Sequence, residues 1–179
     1  HANISIFIPH NGCPQQCSFC NQNRITGENH QPQPEEVAAL LQSAAKQMGE
    51  HVQNAEIAFF GGSFTAINPD YRLALLKTAH AACETYGFAG IRCSTRPDAI
   101  DDERLTVLKQ YGVTAIELGA QSMDGEVLLL NRRGHTAKDV ENTARLIRAY
   151  GFELGLQMMT GLPGDSDAKA MKTVERLLA

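Results

Sequence analysis

The sequence shows neither an apolar run long enough to span a bilayer nor a signal peptide, so no membrane partner is expected. It also lacks an even cysteine count: there are five, an odd number that disfavours a disulfide framework and suits a reducing, soluble compartment, the cytoplasm by default. A basic surplus is missing as well. The net charge of −4 and a pI near 5.9 offer a polyanion little counterion-release attraction, which weakens, without removing, the case for RNA. What remains is 179 residues, 43% of them hydrophobic, enough for one sizeable core and one domain.

The most informative stretch is Cys13-Pro14-Gln15-Gln16-Cys17-Ser18-Phe19-Cys20. Three thiols on one short loop form a ligand cluster, because thiolates are the ligands of iron–sulfur centres and structural zinc. A closed zinc site or an electron-transfer cubane takes four protein ligands, and no fourth cysteine lies nearby. A cubane held by three leaves one iron open to a non-protein ligand, the mark of a reactive site. The competing reading takes His10 as fourth ligand of a zinc knuckle, with His10, Cys13, Cys17 and Cys20 in metal-ligand spacing.

Along the chain, Asn3 to Ile8 alternates as a short buried strand does, ended by Pro9 and Gly12. Asn21 to Gln33 is polar, with the composition of an irregular loop. Pro34-Glu35-Glu36 opens a helix that keeps Val37, Leu40, Leu41, Ala44, Ala45 and Met48 at helical spacing. Strands follow near 55–60, 91–94, 115–119 and 154–159. Helices are expected from the Asn68-Pro69 cap to Tyr86 and from Asp101 to Tyr111, and a helical pattern runs to Ala179. Tyr86-Gly87-Phe88, Tyr111-Gly112-Val113 and Tyr150-Gly151-Phe152 punctuate three helix-to-strand steps in the same way, glycine supplying the left-handed terminating residue. The alternation predicts an α/β fold with a parallel sheet and right-handed crossovers. Cys83 and Cys93 fall in apolar stripes as small core residues. Glu117, mid-strand, faces either the sheet's interior or solvent. The absence of an initial Met and the helical pattern at the last residue suggest a segment of a longer protein.

Functional groups in such a sheet gather at the carboxyl ends of the strands. Those ends carry Gly61-Gly62-Ser63, Ser94-Thr95-Arg96, Gly119-Ala120-Gln121-Ser122 and Gln157-Met158-Met159-Thr160-Gly161-Leu162-Pro163-Gly164, with the cysteine loop after the first strand. One mouth receives all five.

Cys13, Cys17, Phe19 and Cys20 resemble the C-x3-C-x-aromatic-C loop of radical S-adenosylmethionine (SAM) enzymes. Gly-Gly-Ser-Phe-Thr, Ser-Thr-Arg-Pro-Asp, Gly-Ala-Gln-Ser-Met-Asp, Asn-Arg-Arg-Gly-His-Thr and Gly-Leu-Pro-Gly resemble the Elp3-like and oxygen-independent coproporphyrinogen-oxidase-like branches of that family. The resemblance implies a partial (β/α)6 barrel, five βα units of which are countable here and the sixth expected beyond residue 179. It also implies a [4Fe–4S] cluster on Cys13, Cys17 and Cys20, with SAM on the open iron, and cleavage of SAM to a 5′-deoxyadenosyl radical. An external flavodoxin- or ferredoxin-like protein would donate the electron.

By position in the resembling motifs, Gly61, Gly62 and Ser63 fall on the stretch whose backbone holds the SAM amino group, Ser63 replacing an acid. Gln121 falls on a SAM-contacting glutamine, and Arg133 on the arginine that pairs with the SAM carboxylate. Without the resemblance, Arg132-Arg133 reads as a solvated surface pair, and spacing alone separates the two. Ser94 and Gln157 fall where the coproporphyrinogen-oxidase-like branch has acidic contacts, the latter for ribose. Phe19 helps keep the cluster dry. No catalytic side chain is implied beyond the cluster and SAM. The Elp3-like resemblance suggests a tRNA nucleoside as substrate, the other branch a tetrapyrrole. A non-catalytic zinc- or cluster-binding interaction module is the competing class.

Overall fold

A computed structural model describes residues 2–9, 17–20, 27 and 30–179. Cys13 and His10, and most of the polar stretch after Cys20, lie outside these. Five strands, β1 (Ala2–Ile8), β2 (Ala55–Gly61), β3 (Gly90–Thr95), β4 (Val113–Gln121) and β5 (Glu153–Met158), pair in parallel and in chain order. Between them run helices α1 (Pro34–Met48), α2 (Pro69–Tyr86), α3 (Asp102–Gln110), α4 (Gly125–Leu130) and α5 (Ala137–Ala149), with α6 (Asp167–Leu178) after β5. Right-handed crossovers between successive neighbours all pass the same side of a sheet. The strand order therefore puts the helices on one face, as in a barrel, with no reversal point of the doubly wound kind.

Local signals start and stop these helices as the sequence suggests. Asn68 caps α2 by accepting hydrogen bonds from the Asp70 and Tyr71 N–H groups at 3.0 and 3.1 Å, and the Gln33 N–H donates to the Glu36 carboxylate at 2.6 Å at the start of α1. Gly87, Gly112 and Gly151 have φ of 80°, 75° and 79°, so the repeated Tyr-Gly step is one left-handed turn used three times. The short helix α4 is an element the sequence reading did not count.

Period two assigns the two faces of the sheet. Ile6, Ile8, Ile57, Phe59, Ile91, Cys93, Ile116 and Leu118 pack with Val37, Leu41, Leu75, Leu76, Leu105, Leu108 and Ile147 of the helices into one core. Burying each large apolar side chain is worth about 1.5–3 kcal/mol, and a one-residue slip would turn a strand's whole set outward. Register is thereby dictated. Cys93 is fully buried, its thiol pushed up to about 12 by burial. Cys83 packs against the same core but is only partly buried. The opposite face carries Glu56, Ala58, Arg92, Ser94, Ala115, Glu117, Gly119, Gly155 and Gln157, and Glu117 thus belongs to the interior.

Candidate functional site

At the carboxyl end of this inner face a cavity of about 160 Å³ is lined by Cys17, Phe19, Cys20, Gly61, Gly62, Ser63, Ser94, Gln121, Arg133 and Gln157, together with Thr95, Arg96 and Gly119. Each described residue that the resemblance implies for the cluster or SAM therefore lines this one cavity, from segments spread over 140 positions of chain. Thr95, Arg96 and Gly119 were not singled out individually, although the strand-end stretches containing them were.

The cysteine turn is held from outside. The Cys20 N–H donates to the Cys17 carbonyl at 3.0 Å, closing the turn. Ser18 donates through Oγ to Asn131 Oδ1 at 2.5 Å, and Asn131, fully buried, spends its Nδ2 on the carbonyls of Val127 at 2.7 Å and Pro163 at 3.0 Å. One amide thus joins the cysteine turn, the end of α4 and the Gly-Leu-Pro-Gly turn. Sequence reading missed Asn131, which stands inside the Asn-Arg-Arg-Gly-His-Thr motif but carries no chemistry of its own.

The end of α4 also decides between the two arginines. Arg132 N–H donates to the Leu129 carbonyl and Arg133 N–H to the Leu128 carbonyl, both at 3.0 Å, and Arg132 has φ 52°. This is the Schellman helix ending, with arginine in the left-handed place glycine usually takes. The reversal leaves Arg132 exposed and turns Arg133 inward, where it is 6% exposed. It is no solvated pair.

Arg133 Nη1 donates to Cys17 Sγ at 3.2 Å and Nη2 to the Gly119 carbonyl at 2.7 Å, and the guanidinium carbon stands 5.7 Å from the Phe19 ring centre. Among the described residues its Nε, also buried, has no partner, and no carboxylate forms an ion pair with it. Arg96 differs. It grips Asp98 bidentately, both bonds 2.8 Å, and donates to the Arg133 carbonyl at 2.7 Å, so its charge is matched and its role is to pin the chain beside Arg133. A buried cation without a counter-charge is costly. The cavity fits an anionic group.

Two further features make room for a ligand. A Cβ on Gly119 would come within 3.0 Å of Gln121 Nε2 and 3.4 Å of Arg133 Nη2, so glycine there lets both side chains enter. Ser94 Oγ is buried with no partner among the described residues, an unmet hydroxyl on the cavity wall. Gln121 is reached through an irregularity: the β4–β5 register shifts between Gly119 and Gln121, and Gln121 has φ 64°. Such a bulge with a left-handed non-glycine residue re-aims a side chain at a backbone cost characteristic of functional sites.

The Gly61-Gly62-Ser63 turn is rigid for a reason the sequence does not disclose. Ser63 Oγ lies 2.9 Å from Thr95 Oγ1 and accepts from the Arg96 N–H at 3.2 Å, while Thr65 Oγ1 is 2.5 Å from Thr95 Oγ1. The Ser63 hydroxyl is engaged in this buried triad. Gly61 lines the cavity and is also required by β1, since its Cβ would stand 2.5 Å from the Ile8 carbonyl oxygen, the same oxygen that accepts from Gly62 N–H at 2.8 Å.

Behind Arg133 lies His135, 6% exposed. Its Nε2 donates to the Ala120 carbonyl at 3.3 Å, and Nδ1 is buried without a partner among the described residues. Burial, reinforced by the Arg133 charge, pushes the imidazole down to about 4. Unfolding frees it to bind a proton at its ordinary value, so its contribution to stability is complete above about pH 6.5 and is lost as pH falls towards 4, about 3 kcal/mol in all. Urea unfolding at pH 7 and pH 5 should show a drop of about 2 kcal/mol that His135→Gln largely removes. An equal drop in both proteins would assign the acid sensitivity elsewhere.

No helix among the described residues is long and apolar enough to cross a membrane. The family model for the Radical SAM superfamily matches residues 7–177. A tRNA uridine(34) acetyltransferase of Dehalococcoides mccartyi is 26% identical over 187 residues, covering 88% of this chain and 41% of that protein. Human elongator complex protein 3 is 31% identical over 135 residues, covering 66% of this chain and 25% of that protein. The chain thus spans well under half the length of these relatives. Among solved structures, the archaeal Methanocaldococcus infernus Elp3 superposes with a TM-score of 0.71 at 20% identity, over 99% of this chain and 42% of that one. Coproporphyrinogen III oxidase from Escherichia coli does so with 0.66 at 21%, over 98% and 41%. These two likenesses are likenesses of fold, and they identify the five parallel βα units as the partial barrel of radical SAM enzymes.

Proposed function

Because the chain belongs to the radical SAM superfamily, whose enzymes use a [4Fe–4S] cluster and SAM, we propose that the cavity beside Cys17 is its cofactor site. In this reading Cys13, Cys17 and Cys20 hold the cluster. When bound, the pair supplies reductive cleavage of the sulfonium to a 5′-deoxyadenosyl radical that abstracts hydrogen from a substrate. The observation that carries the reading is the buried Arg133, which among the described residues has no carboxylate yet lies 3.2 Å from a cysteine sulfur.

The chain's own residues then bind, orient and exclude water. Arg133 offers its guanidinium to the carboxylate of SAM, a planar match for a planar anion. Gly61, Gly62 and Ser63 present backbone groups to its amino end, braced by the hydroxyl triad. Ser94, Gln121 and Gln157 supply uncharged hydrogen bonds to the nucleoside, and Phe19 shields the cysteine turn from solvent.

The substrate we infer is a tRNA nucleoside, supported by relatives named for tRNA uridine modification that match up to 88% of the chain. With a net charge of −4, these residues hold RNA weakly, so the reading places the RNA grip in further parts of a longer protein, along with a sixth βα unit. The electron donor would be a flavodoxin- or ferredoxin-like protein of the cytoplasm.

Anaerobic reconstitution should give about four iron and four sulfide per chain, and 5′-deoxyadenosine on addition of SAM and dithionite. Cys17→Ala should be colourless and form none. A brown Cys17→Ala protein that still cleaves SAM sinks the assignment, and stoichiometric zinc in the native chain would favour the knuckle.

A further inference from the structure

One strand step below the cavity the inner face carries an ion network that reaches the proposed cofactor contacts only through Gln157. Arg92 on β3 holds Glu56 through Nε at 2.8 Å and Nη2 at 2.7 Å. Its Nη1 donates to Glu117 Oε1 on β4 at 2.8 Å. Thr114 Oγ1 donates to the other oxygen of Glu56 at 3.2 Å. The second oxygen of Glu117 accepts from Gln157 Nε2 at 2.5 Å. Glu117 reaches β5 because its register partner there is Gly155: its side chain lies over the empty Cβ position, with Cγ and Cδ 3.6 Å away.

The chemistry of this last bond is asymmetric. Glu117, paired with Arg92, is an acceptor only, whereas a glutamine amide has a donor end and an acceptor end on a nearly two-fold terminal torsion. Only the NH2 end satisfies Glu117. Gln157 also lines the cavity, so its carbonyl oxygen is the end left for a ligand. An unanchored glutamine would accept or donate with equal ease, and so would not discriminate.

The geometry points to Glu117, braced by Arg92, as a positioning residue that locks the Gln157 amide with its carbonyl oxygen towards the ligand, making this end of the cavity selective for a hydrogen-bond donor. This rests on the reading that a SAM nucleoside fills the cavity. The donor is then a ribose hydroxyl or the adenine amine. The pair also explains how glutamine serves on β5 without a carboxylate: Glu117 supplies the charge from behind and dictates the polarity.

The test is calorimetric binding of S-adenosylhomocysteine to the reconstituted chain, beside its 2′,3′-dideoxy analogue and its analogue lacking the adenine amine. Glu117→Gln should weaken the parent ligand about 3- to 10-fold, the worth of one hydrogen bond. It should leave unchanged the affinity of whichever analogue lacks the donor that Gln157 reads, which identifies that donor. In a Gln157→Leu background Glu117→Gln should have no effect on affinity, because the two act as one unit. If Glu117→Gln does not fold, Glu117→Asp keeps the charge beside Arg92 but falls short of Gln157, and should give the same pattern. Equal weakening of all three ligands, or additive effects in the double variant, overturns the inference and makes the network purely structural. Failure of the unsubstituted chain to bind S-adenosylhomocysteine overturns the cofactor reading itself, and the inference with it.

Discussion

Arg133→Met is expected to weaken SAM binding about 10- to 100-fold, the worth of a charge-assisted hydrogen-bonded pair in a water-poor site, while the cluster-free chain keeps or raises its melting temperature. The two effects have opposite signs because Arg133 is a buried cation with no carboxylate among the described residues. Its contacts are a sulfur, a carbonyl and an aromatic face, which offset only part of its desolvation. Methionine fills the space of the arginine's aliphatic stem and has no charge to bury. Arg133→Lys should fall between, keeping the charge but not the planar fork. Calorimetry with SAM and thermal unfolding of the cluster-free protein read the two halves separately. A large loss of stability with SAM affinity intact would show Arg133 to be a packing residue and remove the main support for the proposed site.

Gly61→Ala should cost about 3 kcal/mol or more of unfolding free energy, from a strained dihedral and a backbone clash acting together. Gly61 has φ 111°, a conformation L-residues rarely adopt, and the added Cβ would meet the Ile8 carbonyl oxygen at 2.5 Å and its carbon at 2.9 Å. Neither obstacle can rotate away, since Ile8 is the register partner of Gly61 and its carbonyl holds Gly62 N–H. Gly87→Ala is the control: φ is 80° but nothing lies within 4 Å, so only the left-handed cost of about 1–2 kcal/mol is expected. Urea unfolding of both variants separates the two contributions. Equal costs would show that β1 yields readily, and that the Gly61-Gly62-Ser63 turn is not held by the first strand.

Much of the architecture was legible because it rests on local chemistry. Alternation of strand and helix patterns, the Asn68 cap and the three Tyr-Gly turns each act within a few residues, so their signals survive in a linear reading. The cysteine spacing is local too, although Cys13 falls outside the described residues. The short helix α4 escaped because its end uses Arg132 where a glycine would have announced it. The same substitution hid the reason why Arg133, and not its neighbour, turns inward.

Residue type and spacing alone thus established a parallel α/β chain with a thiol-rich mouth, because periodicity and turn chemistry are properties of neighbours in sequence. Which way a side chain faces depends on register across strands brought together from far apart. Only the folded sheet could set Glu117 over Gly155 and against Gln157, commit the Ser63 hydroxyl to Thr95, and leave Arg133 buried beside Cys17. Those choices follow from tertiary distances, and they decide what the mouth can hold.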